Sequence, residues 1–347
     1  MGPLLYKKIY HFIKEQIDSG QLKLGDRLPT EKELSEEFGV SRITSKRALA
    51  ELEQEGLVVR TRGKGSFVAE KSVTVSSNKR DILLILPFDS DYELGDYARG
   101  IMTVLAEKGY RLMVQLASAV VATDLSQYAG VIYYPEDVNH SIDFLFYCDY
   151  HQIPLVLLDK QVDLFSFPTV VADNKGGAYE LTQHLMQQAC QEILFIATES
   201  FGEVSSVRDR YLGYLAAMAE MQRSGSYFSK ENSEDSIAYL DRLVEHLLAN
   251  GEQKTGLVVE NDWLAIQLLQ RVLQAGLSVP DQVAIVGFDN SQASRLITPN
   301  LTTAAQGFYM MGQEAATLLV VQMEEPDKPV HSQQIPVQIF IRESSQL

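Results

Sequence analysis

Seven short apolar runs constrain the fold of this chain more than any other feature. They lie at residues 82–86, 112–116, 130–134, 155–158, 193–196, 257–259 and 283–286. The runs are rich in β-branched residues and almost entirely apolar, as strands buried on both faces of a parallel sheet must be. Helical stretches of ten or more residues separate most of them. The sequence therefore predicts an α/β body, a doubly wound parallel architecture in two lobes.

Polar side chains follow several of these predicted strands. Asp159, Asn261 and Asp289 come at or just after the ends of three of them, and the run 169–172 ends in Asp173 and Asn174. In doubly wound sheets ligands bind beyond the carboxyl ends of the strands. Carboxylates and amides at this edge offer fixed donors and acceptors, which a polyhydroxylated ligand needs.

An arginine and an aromatic loop complete the predicted ligand site. Arg210 follows another strand and precedes the helix that contains Gly213. It would face the carboxylates across the predicted cleft. Phe88 or Tyr92, after the first strand of the body, could stack on a sugar ring.

The first seventy residues have a different pattern. Apolar residues at helical spacing over 5–17 predict a first helix. Thr30 and Glu33 predict a capping box that begins a short second helix, because each side chain can satisfy a backbone N–H of the other. Ser41 is the expected N-cap of a third helix, which ends before Gly56.

Strand-like residues 57–68 follow, with a glycine-rich turn that predicts a hairpin. Arg62 and Lys64 lie at its tip, so the hairpin resembles a basic wing suited to phosphate or minor-groove contact. Arg42, Thr44 and Lys46 crowd the start of the third helix. In a helix-turn-helix this end of the second helix contacts base edges in the major groove.

Charge by segment agrees with DNA binding at one end of the chain. The net charge is −16 overall, which taken alone argues against nucleic acid. Residues 1–70 carry 12 Lys and Arg against 11 Asp and Glu, a net +1, so the rest of the chain carries −17. An acidic body with a near-neutral head would bind DNA through the head alone.

Residues 25–34, the turn at 38–42 and residues 52–68 resemble the N-terminal pattern of the GntR family. This resemblance implies DNA contacts at seven positions, to which the predicted wing tip adds Lys64. Lys cannot make the planar bidentate contact with guanine that Arg makes, so Arg42 is the expected base reader and the lysines the expected phosphate contacts. The predicted DNA-binding set is Lys32, Ser41, Arg42, Thr44, Lys46, Arg62, Gly63 and Lys64.

Residues 171–174, 286–290 and 299–303, among others, resemble the LacI-type sensor, which is similar to periplasmic sugar-binding proteins. The combination of a GntR-like head with such a sensor resembles the arabinose repressors of Gram-positive bacteria. This resemblance implies a sugar effector, and a pentose is the first candidate. The predicted ligand-binding set is Phe88, Tyr92, Asp159, Arg210, Asn261, Asp289 and Gln306.

The predicted organisation is a winged helix-turn-helix domain at 1–70, a linker at 71–80 and a ligand-binding domain at 81–347. We expect lobe 1 at about 81–172 and 303–332, and lobe 2 at about 173–302 and 333–347. A single winged helix makes few contacts, so a homodimer reading a palindromic operator in double-stranded DNA is expected.

Other functions are weaker alternatives. No export signal, membrane span, phosphate-binding loop, nucleophile elbow or metal-ligand spacing is found, so we expect a cytoplasmic protein that has no catalytic residues, cofactor or metal. A sugar- or nucleoside-binding protein without a regulatory role, and a regulator that needs a corepressor, remain open.

Overall fold

The structure is a computed structural model, and it divides the chain into two compact units, Met1–Lys79 and Arg80–Leu347. The residues that it describes are 5–18, 21–23, 25–54, 57–61, 65–68, 80–87, 91–117, 125–228, 230, 234–250 and 253–346. Most of the predicted linker lies outside these residues. Within them, no helix has the length and apolar character needed to cross a membrane.

The first unit contains three helices and a hairpin. Its elements are α1 (Leu5–Asp18), α2 (Glu31–Glu37), α3 (Arg42–Gln54), β1 (Val58–Thr61) and β2 (Gly65–Val68). The strands pair antiparallel, with Val58 opposite Val68. Apolar residues of all three helices and both strands form one buried cluster, which includes Ile9, Leu34 and Leu49. This is the expected winged helix-turn-helix arrangement.

The predicted capping box begins α2. Thr30 Oγ1 accepts a hydrogen bond from the Glu33 N–H at 3.3 Å, and Glu33 Oε2 accepts one from the Thr30 N–H at 2.7 Å. These bonds satisfy backbone donors that a helix start otherwise leaves without partners, so this local prediction is confirmed.

The second unit alternates strands and helices. In chain order its elements are β3 (Asp81–Leu86), α4 (Asp91–Lys108), β4 (Arg111–Leu116), β5 (Gly130–Tyr133), α5 (Val138–Tyr150), β6 (Leu155–Leu158), β7 (Thr169–Ala172), α6 (Asn174–Gln187), β8 (Glu192–Ile196), α7 (Ser205–Glu220), β9 (Ser226–Phe228), α8 (Ser236–Ala249), β10 (Thr255–Val259), α9 (Asp262–Gln274), β11 (Val283–Asp289), β12 (Thr302–Ala305), α10 (Phe308–Glu324), β13 (Gln333–Ile335) and β14 (Gln338–Phe340).

Two six-stranded sheets form the two lobes. Lobe 1 has the order β13-β7-β6-β5-β3-β4 and is parallel throughout. Lobe 2 has the order β14-β12-β11-β10-β8-β9, and only β14 runs antiparallel to its neighbour. Helices α4 and α10 pack with one face of the lobe 1 sheet and α5 with the other. The predicted doubly wound fold class is confirmed.

The chain passes between the lobes at different residues from those predicted. β12 pairs with β11, so residues 303–305 belong to lobe 2 rather than to lobe 1. β13 pairs with β7, so residues 333–335 belong to lobe 1 rather than to lobe 2. Strands of three or four residues contain too little periodicity to indicate which sheet they join. The predicted lobe was therefore wrong for both β12 and β13.

Candidate functional site

A buried arginine joins the ends of two lobe 2 strands to the start of α6. Arg210 is 5% exposed, and its Nε donates a hydrogen bond to Asn174 Oδ1 at 2.8 Å. Its Nη1 donates to the backbone carbonyl of Glu260, and its Nη2 lies 3.6 Å from Asp289 Oδ1. The guanidinium carbon also lies 3.9 Å from the centre of the Phe288 ring. Arg210 therefore fixes the ends of β10 and β11 against the start of α6.

A glycine lets α7 bring Arg210 to this place. A Cβ atom on Gly213 would lie 2.1 Å from the backbone oxygen of Lys175 in α6, so only glycine permits the observed approach of the two helices. Arg210 lies on α7 itself, about one turn before Gly213, so the prediction that it precedes this helix is wrong. The close packing therefore places its side chain against Asn174.

Asp289 and Gln306 form the polar edge of this cluster. Gln306 Nε2 donates to Asp289 Oδ1 at 2.7 Å. Gln306 Oε1 is enclosed and accepts no hydrogen bond within the part of the chain that the structure describes. A buried acceptor without a donor is costly, so this oxygen is suited to a hydroxyl group of a bound molecule. Burial raises the pKa of Asp289 to about 6, and Arg210 opposes that rise.

Two further carboxyl groups lie behind this edge. Asp262 accepts hydrogen bonds from the Thr303 hydroxyl at 2.6 Å and from the Ser291 N–H at 2.7 Å. Burial and the neighbouring Asp289 carboxylate raise the pKa of Asp262 to about 7. Burial and Glu199 raise the pKa of Glu260 to about 7 as well. These carboxyl groups therefore gain protons when the pH falls through the neutral range.

Backbone strain accompanies the predicted ligand residues. Asp159, at the end of β6 in lobe 1, has a φ of +70° and is 3% exposed. Asp289 and Asn290 have φ values of +114° and +56°. Residues other than glycine seldom adopt these angles, and they persist where the surrounding structure holds them, often at binding sites.

Contacts between the lobes border the cleft. The Gln161 N–H in lobe 1 donates to Ser205 Oγ in lobe 2 at 2.8 Å, and Asn139 Nδ2 donates to Glu203 Oε1 at 2.7 Å. Each bond joins a loop residue of one lobe to the first turn of a helix in the other, and neither lies in a packed core. Each is worth about 1 kcal/mol, so a ligand with differential affinity could shift the lobes relative to one another.

In the first unit, α3 presents its predicted contact residues at its start. Arg42 and Lys46 are exposed, as is Lys32 on α2. Ser45 is buried, and its Oγ donates to the Glu31 carbonyl at 2.9 Å, which ties the start of α3 to that of α2. The basic side chains of both helix starts therefore belong to one surface.

Family comparisons agree with the folds of both units of the chain. The sequence profile of the bacterial regulatory proteins of the GntR family matches residues 5–68, and that of the periplasmic binding protein-like domain matches residues 182–345. An arabinose metabolism transcriptional repressor of Geobacillus stearothermophilus is 30% identical over 336 residues, which cover 92% of this chain and 91% of that protein. The chain belongs to the GntR family of bacterial regulatory proteins.

Two further comparisons extend over much of this GntR regulator. An arabinose metabolism transcriptional repressor of Halalkalibacterium halodurans is 27% identical, with 94% of this chain and 92% of that protein covered. The crystal structure of a LacI family transcriptional regulator from Enterococcus faecium with bound ribose has a TM-score of 0.64 and 22% identity, and covers 76% of this chain and 98% of that one. The similarity to this solved structure supports the fold of the second unit. The resemblance expected from the sequence is confirmed.

The structure accounts unequally for the ligand residues expected in this GntR regulator. It brings Arg210, Asp289 and Gln306 together, and it places Asp159 close enough to influence the pKa of Asp289. Asn261 Oδ1 accepts from the Leu264 N–H at 2.8 Å and so begins α9, which leaves its amide NH₂ as the group available to a ligand. Phe88 and the side chain of Tyr92 lie outside the described residues.

Among the predicted DNA contacts, Ser41 and Thr44 bond to each other. Their hydroxyl oxygens are 2.9 Å apart, and Ser41 Oγ also accepts from the Thr44 N–H at 3.3 Å. The Lys32 ammonium lies 3.8 Å from Glu36, with both side chains well exposed, so solvent screening leaves it free to exchange that partner for a phosphate. The predicted wing residues Arg62, Gly63 and Lys64 lie outside the described residues.

Sequence reasoning missed three residues of the cluster. In the sequence, Glu260 has the pattern of the last residue of a strand, and Asp262 has that of an acidic residue in the first turn of a helix. Asn174 follows its strand but does not belong to the predicted ligand-binding set. Their roles depend on burial and on distant partners such as Thr303, which no local pattern indicates.

Proposed function

We propose that this GntR regulator is a transcriptional repressor that binds operator DNA through its first unit and releases it when a small sugar enters the cleft of the second. The observation that carries the proposal is the polar edge formed by Arg210, Asp289 and Gln306, where an enclosed amide oxygen lacks a donor. Because a bacterial repressor acts on chromosomal DNA, we infer that the protein functions in the cytoplasm.

Polyhydroxylated ligands fit this edge best. Asp289 accepts hydrogen bonds in its ionised form, Gln306 Oε1 accepts one more, and the Asn261 amide donates. A neighbouring hydroxyl pair on a sugar can satisfy such acceptors together, whereas an apolar ligand would bury them without partners. The relatives named for arabinose metabolism make L-arabinose the first sugar to test.

We also propose a homodimer built through the sensor lobes. Each lobe exposes large apolar side chains, among them Met102, Met113 and Leu116 in lobe 1, and Trp263 and Leu296 in lobe 2. Trp263 is 72% exposed and Leu296 is 81% exposed. Burial of large exposed apolar side chains against a partner is favourable, so these residues support an interface through the sensor lobes. Paired sensors would hold two heads on half-sites spaced by about one DNA turn, ~10 bp.

On this proposal the cleft acts by binding alone. A histidine–serine pair does occur in the described residues, with His184 Nε2 2.8 Å from Ser345 Oγ. Ser345 is fully buried, and its hydroxyl also lies 2.6 Å from Thr302 Oγ1. No substrate can reach this pair, so it has the character of a core hydrogen-bond network.

A gel-shift titration tests the function. The DNA is a duplex selected by the full chain from a random library, and L-arabinose, D-xylose and D-ribose are added in turn. We expect one sugar to release the complex. Release by none would support a binding protein without a regulatory role, and tighter complexes with a sugar would make that sugar a corepressor; either result overturns the proposal.

Sedimentation of the full chain tests the dimer. We expect the mass of two chains, and Trp263→Ser should shift the equilibrium towards monomer by at least about tenfold, which corresponds to about 1.4 kcal/mol. Exposed Phe146→Ser on α5 is the matched control and should leave the mass unchanged. A monomeric wild-type chain that still binds a palindrome would contradict the proposal.

A further inference from the structure

A cavity lies in lobe 2, beside the Arg210 cluster. Its volume is about 480 Å³, and its walls come from the loop after β8 and from the residues around and after β9. Thr198, Glu199 and Phe201 line one side, and Tyr227 and Glu234 line the other. Ligand pockets in proteins have volumes of about 300–1,000 Å³, so this cavity alone could hold a small molecule.

The cavity and the Arg210 cluster share one edge of the same sheet. Asp289 ends β11, Glu260 follows β10, and Thr198 follows β8, all at the carboxyl ends of parallel neighbours. Strands lie about 4.8 Å apart, so the distance from the end of β11 to the end of β9, three strands away, is about 14 Å. That span is longer than one sugar ring.

Glu260 and Glu199 connect the two places. The backbone oxygen of Glu260 binds Arg210, while its carboxylate accepts hydrogen bonds from the Thr198 hydroxyl at 2.7 Å and from the Thr198 N–H at 3.1 Å. Glu199, which lines the cavity, is near enough to raise the pKa of both Asp289 and Glu260. The cavity is therefore continuous with the polar edge that Asp289 and Gln306 form beside Arg210.

The walls combine aromatic faces with fixed polar groups. Phe201 stacks on Tyr211 with centroids 4.6 Å apart, and Tyr227 packs beside Phe201 at 5.0 Å while 43% exposed. Two hydrogen bonds from Arg242, at 2.9 and 2.8 Å, hold the Glu234 carboxylate in place. An aromatic face beside preorganised acceptors suits the apolar face and the hydroxyl rim of a sugar ring.

The charges at the cavity favour an uncharged ligand. Arg242 offsets Glu234, and Lys230, which also lines the cavity, offsets Glu199. A cationic or anionic ligand would gain little from walls whose charges cancel. Hydroxyl groups, by contrast, can use both the carboxylates and the ammonium group as partners.

We propose that the cleft has a second saccharide subsite over β8 and β9, so that a neutral disaccharide binds more tightly than its monosaccharide. One ring occupies the Arg210 cluster and the other lies against Tyr227. This proposal rests on the sugar-binding function proposed above and specifies the size of the effector.

Calorimetric titration of the full chain with matched sugars tests the subsite. The probes are L-arabinose with α-1,5-arabinobiose, D-xylose with xylobiose, and D-glucose with cellobiose. In at least one series we expect the disaccharide to bind about tenfold more tightly than the monosaccharide. A monosaccharide that binds as tightly as its disaccharide, or more tightly, in every series would overturn the subsite and leave the proposed function intact. Absence of binding by all six would overturn both.

Variants at Tyr227 assign the gain to this place. Tyr227→Ala removes the ring and should reduce the disaccharide advantage by roughly 3- to 10-fold without changing monosaccharide affinity. Tyr227→Phe keeps the ring and should keep the advantage. Tyr150→Ala, at an exposed tyrosine on α5 in lobe 1, is the control. An advantage that persists in Tyr227→Ala would place the second ring elsewhere and contradict the proposal.

Discussion

Arg210→Ala is the sharpest perturbation of the sensor. The change removes the cation that faces Asp289 at 3.6 Å and the donor to Asn174 at 2.8 Å, and it leaves a buried carboxylate without a positive partner. Removing one member of a buried pair costs about 3–5 kcal/mol. For a unit of this size each kcal/mol lowers the melting temperature by about 2–4 °C, so we expect a decrease of roughly 6–20 °C.

The pH dependence of that loss identifies its cause. Without Arg210 the pKa of Asp289 rises further, because the largest opposing influence is gone. An acid whose pKa is raised by folding destabilises the fold more as pH increases through the two pKa values. The variant should therefore lose less stability at pH 5 than at pH 8.

Differential scanning calorimetry of the full chain at the two pH values measures this effect. Arg208→Ala is the control, because that side chain is 37% exposed and pairs with Asp163 at 3.5 Å, and such a pair is worth at most about 1 kcal/mol. An Arg210→Ala chain that melts within 2 °C of wild type and still responds to the sugar would refute the role assigned to the cluster.

The other predictions concern protonation, DNA contact and helix start. Burial raises the pKa of Asp289 from 3.8 to about 6 and that of Asp262 from 3.8 to about 7. The sensor should therefore melt at a higher temperature at pH 5 than at pH 8, and Asp262→Asn should reduce this difference. A difference that is the same in the variant and the wild type would contradict the role assigned to Asp262. Arg42→Ala should weaken operator binding by roughly 1–3 kcal/mol in fluorescence anisotropy and relax specificity, with sugar affinity intact and the exposed Lys8→Ala as control; equal binding by both variants would remove Arg42 from the interface. Thr30→Ala should lower the free energy of unfolding of the first unit by about 1 kcal/mol in urea titration, since one half of the capping box is lost, and a change below about 0.3 kcal/mol would mean that solvent replaces it.

Much of the fold was predictable because it depends on local periodicity. The buried strands of a parallel sheet are apolar throughout, and the Thr30 capping box follows from two residues three positions apart. The strand-end rule found Asp159 and Asp289, because ligands bind beyond the carboxyl ends of the strands in each parallel sheet. These inferences need only the order of residues in one segment.

The remainder depends on contacts between distant segments. β12 and β13 are short, and the partners that decide their lobes are far away in the sequence. The capping role of Asn261 and its proposed role in ligand binding call for the same residue type, so the sequence does not separate them. The raised pKa values of Glu260 and Asp262 come from burial, which only the folded chain defines.

Reciprocal binding measurements show whether the sugar in the cleft and the DNA on the first unit are energetically coupled. Calorimetry gives the sugar affinity of the free protein and of the protein saturated with its selected duplex, and anisotropy gives the DNA affinity with and without sugar. We predict that both affinities fall by the same factor, between about 5- and 150-fold. Sugar that binds the free and the DNA-bound protein equally would contradict this coupling.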